Sequence, residues 1–378
     1  MRKCWLLFLF LTPLFLGGPQ KKPMRMITQA VKQELIQYLE SHWKTPEEYV
    51  VSKFKDFDIV MIGEHHFIKH DVELIQNLIP YLYRIGVYNL GIEFGCYEYQ
   101  RRADSLITAT TFDEDLARWL LFKWGSYWPY REYLDIYRKA WELNKSLPDG
   151  APKFRVIGLD YRANWNLVKE NMSAWDQRNV FDKGDRDQHM YKVVLKEFIS
   201  RKKKALIYCG QGHAATRFLA PGPSPRPIGN LVFRKIPDRV FNICLHYPWP
   251  ASQSSPGYDY PVGGAIDRIM KEFQDMRIGF DVRNSPFGDL RDQGTDYSSG
   301  HHDFTLGDFC DGYVFQKHFT DYDGCTVDPL FITDKNFVEA VEYLPNPRLK
   351  KGAYRSPQQF LDDMQRRADF KKKYPDLE

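Results

Sequence analysis

The chain has 378 residues, 43% of them apolar, enough to fill the core of one large domain or two modest ones, so it reads as globular. Its 53 basic and 49 acidic residues leave a formal charge of +4, a mixed surface that argues against a polyanion-binding protein and predicts no nucleic-acid partner. Aromatic residues make up 15%, including 23 Tyr and 9 Trp, and suit either a core or a pocket for a ring-bearing ligand.

Residues 1–20 read as a secretory signal: Arg2-Lys3, an apolar run from Cys4 to Leu16, then Gly17-Gly18. The run is too short for a convincing spanning helix, so membrane contact is expected only through an uncleaved signal. Export to a periplasm, cell envelope or extracellular space follows. Beyond the signal stand five cysteines, Cys96, Cys209, Cys244, Cys310 and Cys325, spaced too widely for a disulfide framework.

From Met26 to about Lys53 the apolar residues recur at helical spacing and predict one amphipathic helix. Asp58-Ile-Val-Met-Ile-Gly-Glu-His-His66 then reads as a buried strand that ends in proton-moving or metal-binding side chains. A helix over His70–Arg84 stops at Gly86, and Asn89-Leu-Gly-Ile-Glu-Phe94 is a second buried strand. Strand, helix and strand make a βαβ unit, so the two strands are expected to be parallel neighbours with Glu64 and Glu93 side by side. Residues about 97–145 read as an aromatic-rich helical insertion, either a pocket wall or ordinary helix packing. Phe154–Tyr161 is a third strand-like run, with Asp160 where the earlier strands carry Glu and His.

Asp176–Gln188 reads as a polar connection, followed by a helix ending near Arg201. Lys204-Ala-Leu-Ile-Tyr-Cys-Gly-Gln-Gly-His213 repeats the opening grammar, an apolar run into Gly-x-x-His. Strands are expected again over Val240–His246, Arg277–Val282 and Asp311–Lys317, with a helix over Ala265–Met276. The fold class is therefore α/β: a mostly parallel central sheet flanked by helices, with a helical insertion after the second strand. One domain is expected over 21–345, and 346–378 form a basic tail, read as a solvated cap.

Glu64, His66, Glu93, Asp160 and His213 all fall at expected strand C-termini, where ligands of open α/β sheets bind. His66, Glu93 and His213 are the types that ligate a divalent metal. A route without metal uses the same groups, a His/Glu pair taking a proton while another imidazole steadies developing charge. The residues leave both routes open. His-Glu-x-x-His, Gly-x-Ser-x-Gly and the P-loop are absent, which argues against familiar zincins, α/β-hydrolases and nucleotide-phosphate enzymes. Gly210-Gln-Gly-His-Ala-Ala215 is a weak match to a dinucleotide turn, without the acidic residue that should follow.

Gly63-Glu-His-His66 and Gly210-Gln-Gly-His213, with Glu93 closing the second strand, resemble the superfamily that joins erythromycin esterases, ChaN-type haem-binding proteins and Tiki/TraB-type proteases. The resemblance spans roughly 55–320. In the esterase branch the first histidine falls one residue later, where this chain has Phe67, so the register favours the other branches. The resemblance implies an α/β fold with its site at the strand ends. His66 and His213 would be ligands or acid/base groups, Glu64 and Glu93 would orient them or activate water, and Asp160 would be a neighbour. It also implies two functions: hydrolysis of an ester or amide bond in a small molecule or peptide, with or without a metal, or non-enzymatic binding of haem or an iron compound.

Overall fold

The computed structural model describes residues 27–222, 225–252, 257–350 and 352–374; the expected signal lies outside them. Among the described residues no helix is long and apolar enough to cross a membrane.

In chain order the strands are β1 (Ile59–Glu64), β2 (Asn89–Cys96), β3 (Arg155–Asp160), β4 (Ala205–Gly210), β5 (Val240–Leu245), β6 (Trp249–Pro250), β7 (Tyr258–Asp259), β8 (Ile278–Asp281) and β9 (Gly312–Phe315). Strands β6 and β7 pair with each other, and the other seven form one sheet in the order β3-β2-β4-β1-β5-β9-β8. Every pairing in that sheet is parallel except β8 against β9. The fold is α/β, as the sequence predicts.

The central strands are buried throughout and mostly apolar because both of their faces are covered. Along β1, Val60 and Ile62 join the larger core beneath the helices Lys69–Arg84 and Arg131–Ser146. Ile59 and Met61 turn to a second core, with Ile207 and Cys209 of β4 and Met190, Val193 and Val194 of the helix Arg186–Glu197. All five described cysteines are free and buried.

One expectation about topology is overturned: β1 and β2 are parallel but not neighbours, because β4 lies between them and pairs with both. A βαβ unit dictates direction and handedness, not adjacency, and consecutive strands neighbour only roughly two-thirds of the time. Glu64 and Glu93 consequently flank the end of β4 rather than each other. Between Ile92 and Cys96 the register of β2 against β3 shifts through a bulge, and such bulges re-aim side chains beside active sites. Here the bulged stretch includes Glu93.

Two other stretches differ from expectation, and the insertion is helical as expected. The single helix over 26–53 is two, Gln29–His42 and Pro46–Lys53, because Thr45 and Glu48 form a capping box with Pro46 in the first turn. The insertion holds three helices, Gln100–Thr108, Glu114–Trp124 and Arg131–Ser146. The tail is no solvated cap: its helix Pro357–Arg367 buries Phe360, Leu361 and Met364, and Ala368, Phe370 and Tyr374 follow them into the main core.

Beside the bulge, the backbones of β2 and β3 approach so closely that a Cβ on Gly158 would lie 2.6 Å from the carbonyl carbon of Gly95. Gly158→Ala is therefore expected to force the strands apart and cost roughly 1–3 kcal/mol. A urea titration checks this through a lower midpoint at unchanged slope.

Candidate functional site

Four adjacent strands, β3, β2, β4 and β1, end at the same edge of the sheet, carrying Asp160, Glu93, Gly210 and Glu64 in that spatial order. The loop after β1 adds His66, and the short helix after β4 adds His213. The structure thus brings all five sequence-predicted site residues to one edge.

Glu64 is buried and accepts from three donors. The Nδ1 of His66 lies 2.8 Å from Oε1, the Tyr133 hydroxyl lies 2.7 and 2.9 Å from the two oxygens, and the Tyr208 phenol also donates. Burial raises the Glu64 pKa, while the bonds from His66 and Tyr133 oppose that rise. With Nδ1–H facing a carboxylate, the other ring nitrogen of His66 is the one available as an acceptor. The ring packs edge-on against Trp128 and Phe94, at 4.9 and 5.7 Å between centroids. His66 keeps 31% of its side chain exposed, so it is the accessible member of the pair.

Glu93 is the centre of a second, charged group. Its Oε2 accepts the Gly210 amide at 2.8 Å, and its Oε1 faces Arg186 Nη2 at 3.3 Å and His213 Nε2 at 3.5 Å. Burial disfavours its charge, but His213, Arg186, His66 and the Gly210 amide outweigh burial and hold the pKa at about 2. His213 sits between two carboxylates, with Nδ1 2.7 Å from Asp187 Oδ1. Burial lowers its pKa, yet Glu93 and Asp187 raise it to about 9, so the ring is an imidazolium at neutral pH. Arg186 also binds Asp160 through Nε at 2.8 Å and through Nη2, and Trp124 Nε1 donates to the same Asp160 oxygen at 2.9 Å.

The two groups meet over Gly210. A Cβ there would lie 2.9 Å from His66 Cε1, 3.4 Å from His66 Nε2 and 3.5 Å from Glu93 Oε2, so a side chain would fill the space the two residues share. Glycine at the end of β4 keeps the histidine and the carboxylate facing each other.

Sequence reasoning missed Arg186 and Asp187, which lie inside the stretch read as a polar connection. The signal was Asp185, whose carboxylate caps the helix Arg186–Glu197 by accepting from the Gln188 amide at 2.9 Å. It also missed Tyr208, an aromatic inside an apolar strand, and left the insertion unassigned between wall and packing. Trp124, Trp128 and Tyr133 make the insertion a wall of this site. His70 is buried, and burial first, then nearby cations, push its pKa to about 3.

The donor set does not suit a metal ion. Among the described residues no three His, Cys, Asp or Glu side chains come close enough together to hold one. His66, Glu93 and His213, the expected ligands, are engaged with Glu64, with the Gly210 amide and Arg186, and with Asp187. Arg186 brings a permanent positive charge to the carboxylates that a metal would otherwise neutralise. Of the side chains that could ligate a haem iron, the Tyr133 and Tyr208 phenols are spent on Glu64, whereas His66 keeps one ring nitrogen beside Trp128 and Phe94.

No protein-family model matches the sequence, and no curated protein does either. Solved structures do share its fold. A succinoglycan biosynthesis protein superposes with a TM-score of 0.56 at 10% identity, over 80% of this chain and 100% of that one. A Bacillus cereus protein gives 0.52 at 14% identity, over 76% and 99%. The erythromycin esterase EreC in its open conformation gives 0.50 at 13%, over 77% and 99%. A haem-binding ChaN of Campylobacter jejuni also matches, with a TM-score of 0.36 over 53% of this chain. The α/β fold expected from the resemblance is the fold observed, and it is shared with that erythromycin esterase.

Glu93 and His213 contribute to the pH dependence of stability in two separate ranges. His213 titrates higher folded than unfolded, so its contribution is complete below about pH 6.5 and is lost as pH rises through about 9. Glu93 titrates lower folded than unfolded, so its contribution is present above about pH 4.3 and is lost as pH falls towards about 2. Unfolding free energy measured in urea is expected to fall between about pH 6.5 and 9 and to lose that slope in His213→Asn. Direct NMR titration of His213 with a midpoint near 6.5 would remove the basis for this expectation.

Proposed function

We propose that this protein is an exported hydrolase that cleaves an ester or amide bond in a small molecule or peptide. His66 is the general base, oriented by Glu64 as a carboxylate orients the imidazole of a catalytic triad. Its free nitrogen takes a proton from water as the water attacks the carbonyl. The His213 imidazolium and Arg186 supply positive charge opposite, where an oxyanion develops and a leaving group needs a proton. Glu93 holds both cations in place and keeps His213 protonated.

The observation that carries this reading is the pairing of a partly exposed His66, bonded to buried Glu64, with a partly buried cationic group across Gly210. An acid and a base held in different environments are what acid/base hydrolysis uses, and two histidines can fill those roles. The fold shared with an erythromycin esterase is compatible with the same chemistry. The histidine register, two residues after Glu64 rather than three, directs the proposal to hydrolysis in general and not to macrolides. Export is supported by the charged, apolar and small-residue order of residues 1–18.

A panel of chromogenic esters and fluorogenic peptides tests the proposal. His66→Ala and Glu93→Gln are each expected to lower kcat/KM by about 100-fold or more, and Glu64→Gln by at least about tenfold. Full activity in both His66→Ala and Glu93→Gln would sink the catalytic assignment. Haemin added to the protein is expected to keep the Soret band of the free compound; a shifted band that His66→Ala abolishes would favour the haem-binding alternative.

A further inference from the structure

The loop that carries His66 is held in an unusual conformation. Phe67 has a φ of +76°, a left-handed backbone that a bulky residue adopts only where its surroundings impose it. Those surroundings can be named. The Phe67 amide donates to the Tyr133 hydroxyl at 3.2 Å, and its carbonyl accepts the Cys325 amide at 2.8 Å. The next residues continue the pairing, with Ile68 bridged to Gly324 and the Lys69 amide donating to the Asp323 carbonyl at 3.0 Å. The active loop is therefore a backbone partner of residues 323–325.

That partner segment is in turn held by the C-terminal helices. Gln365 donates to the Cys325 carbonyl at 3.2 Å and accepts the Val327 amide at 3.0 Å, so one side chain satisfies two backbone groups. Tyr130, in the insertion, donates its hydroxyl to the Met364 carbonyl at 2.9 Å. Gly324 lies so close to the end of the helix Pro357–Arg367 that an added Cβ would stand 1.6 Å from the Ala368 carbonyl oxygen. At the far end, the Tyr374 hydroxyl and His65 Nε2 are 2.6 Å apart, and Phe370 and Tyr258 pack around the same imidazole. His66 sits between two pinned residues, His65 and Phe67.

We infer that the C-terminal segment 357–374 is a clamp that sets the orientation of His66, with Tyr374 as a positioning residue acting through His65. This rests on the reading of His66 as the base. A last segment that bonds to the residue beside the base gives the end of the chain a role in the site, although no residue of 357–374 belongs to the Glu64–His66 or Glu93–His213 groups. Tyr374→Phe removes one hydroxyl and leaves the apolar packing, whereas Gly324→Ala displaces the clamp from the loop.

The test uses both variants in the full chain, with the His66 Hε1 NMR resonance, assigned by its loss in His66→Ala, as a readout independent of activity. Tyr374→Phe is expected to keep the thermal midpoint within about 3 °C, to move the His66 resonance, and to lower kcat for p-nitrophenyl acetate about tenfold at unchanged KM. Gly324→Ala is expected to move the resonance further. A His66 resonance identical to that of the unmodified protein in Tyr374→Phe and in any folded Gly324→Ala would overturn the clamp. A resonance that moves in a protein that hydrolyses no ester or peptide of the panel would instead keep the clamp and remove the hydrolase reading.

Discussion

A carboxylate that stays ionised inside the protein, Glu93, is the constraint on which the site depends. Burying an unpaired charge costs far more than folding can spare, so such a group survives only when cations and donors surround it. The Gly210 amide, Arg186 and His213 meet that demand, each from a different element: a strand, a helix start and a short helix. Several features of the fold follow from it. Strand β4 must lie against β2 to bring its amide, its last residue must lack a side chain, and the helix Arg186–Glu197 must begin where its first residue reaches both Glu93 and Asp160.

The same carboxylate divides the two histidines by environment rather than by sequence. Both follow an apolar run and a glycine, yet His213 is enclosed by Glu93 and Asp187, whereas His66 has a single carboxylate partner and an aromatic wall. One ring is fixed as a cation. The other has one nitrogen committed and one facing the space above Gly210. An internal electrostatic gradient of this kind lets one edge of a sheet donate and accept protons at a single pH.

Much of this edge was legible in the sequence because strand ends carry a local signature, an apolar run, a glycine and a polar residue. Glu64, His66, Glu93, Asp160 and His213 were all found that way, along with the parallel α/β class. The order of strands was not legible, since the insertion of β4 between β1 and β2 is decided by packing among distant segments and leaves no mark on either strand. Arg186 and Asp187 were hidden for a related reason: a helix N-terminus rich in Asp and Arg has the composition of a loop. The break at Thr45-Pro46-Glu47-Glu48 was written in the chain as a capping signal and was passed over in favour of continuous periodicity. The buried tail was masked by its composition, nine Lys and Arg over 346–378 against the few apolar residues that carry its packing, Phe360, Met364 and Phe370 among them.

The five buried cysteines make a demand on how the molecule comes to exist. Burial raises the pKa of Cys96, Cys209, Cys244 and Cys325, so in the finished fold these sulfurs are thiols shielded from oxidants. A nascent chain has no such shield. If it matures where disulfides form, collapse of the core must outrun thiol oxidation, because each of these positions is packed as a small apolar side chain and a sulfur captured early would be lost to the interior. Folding speed thus becomes a chemical requirement of the sequence, set by residues that take no part in the proposed reaction.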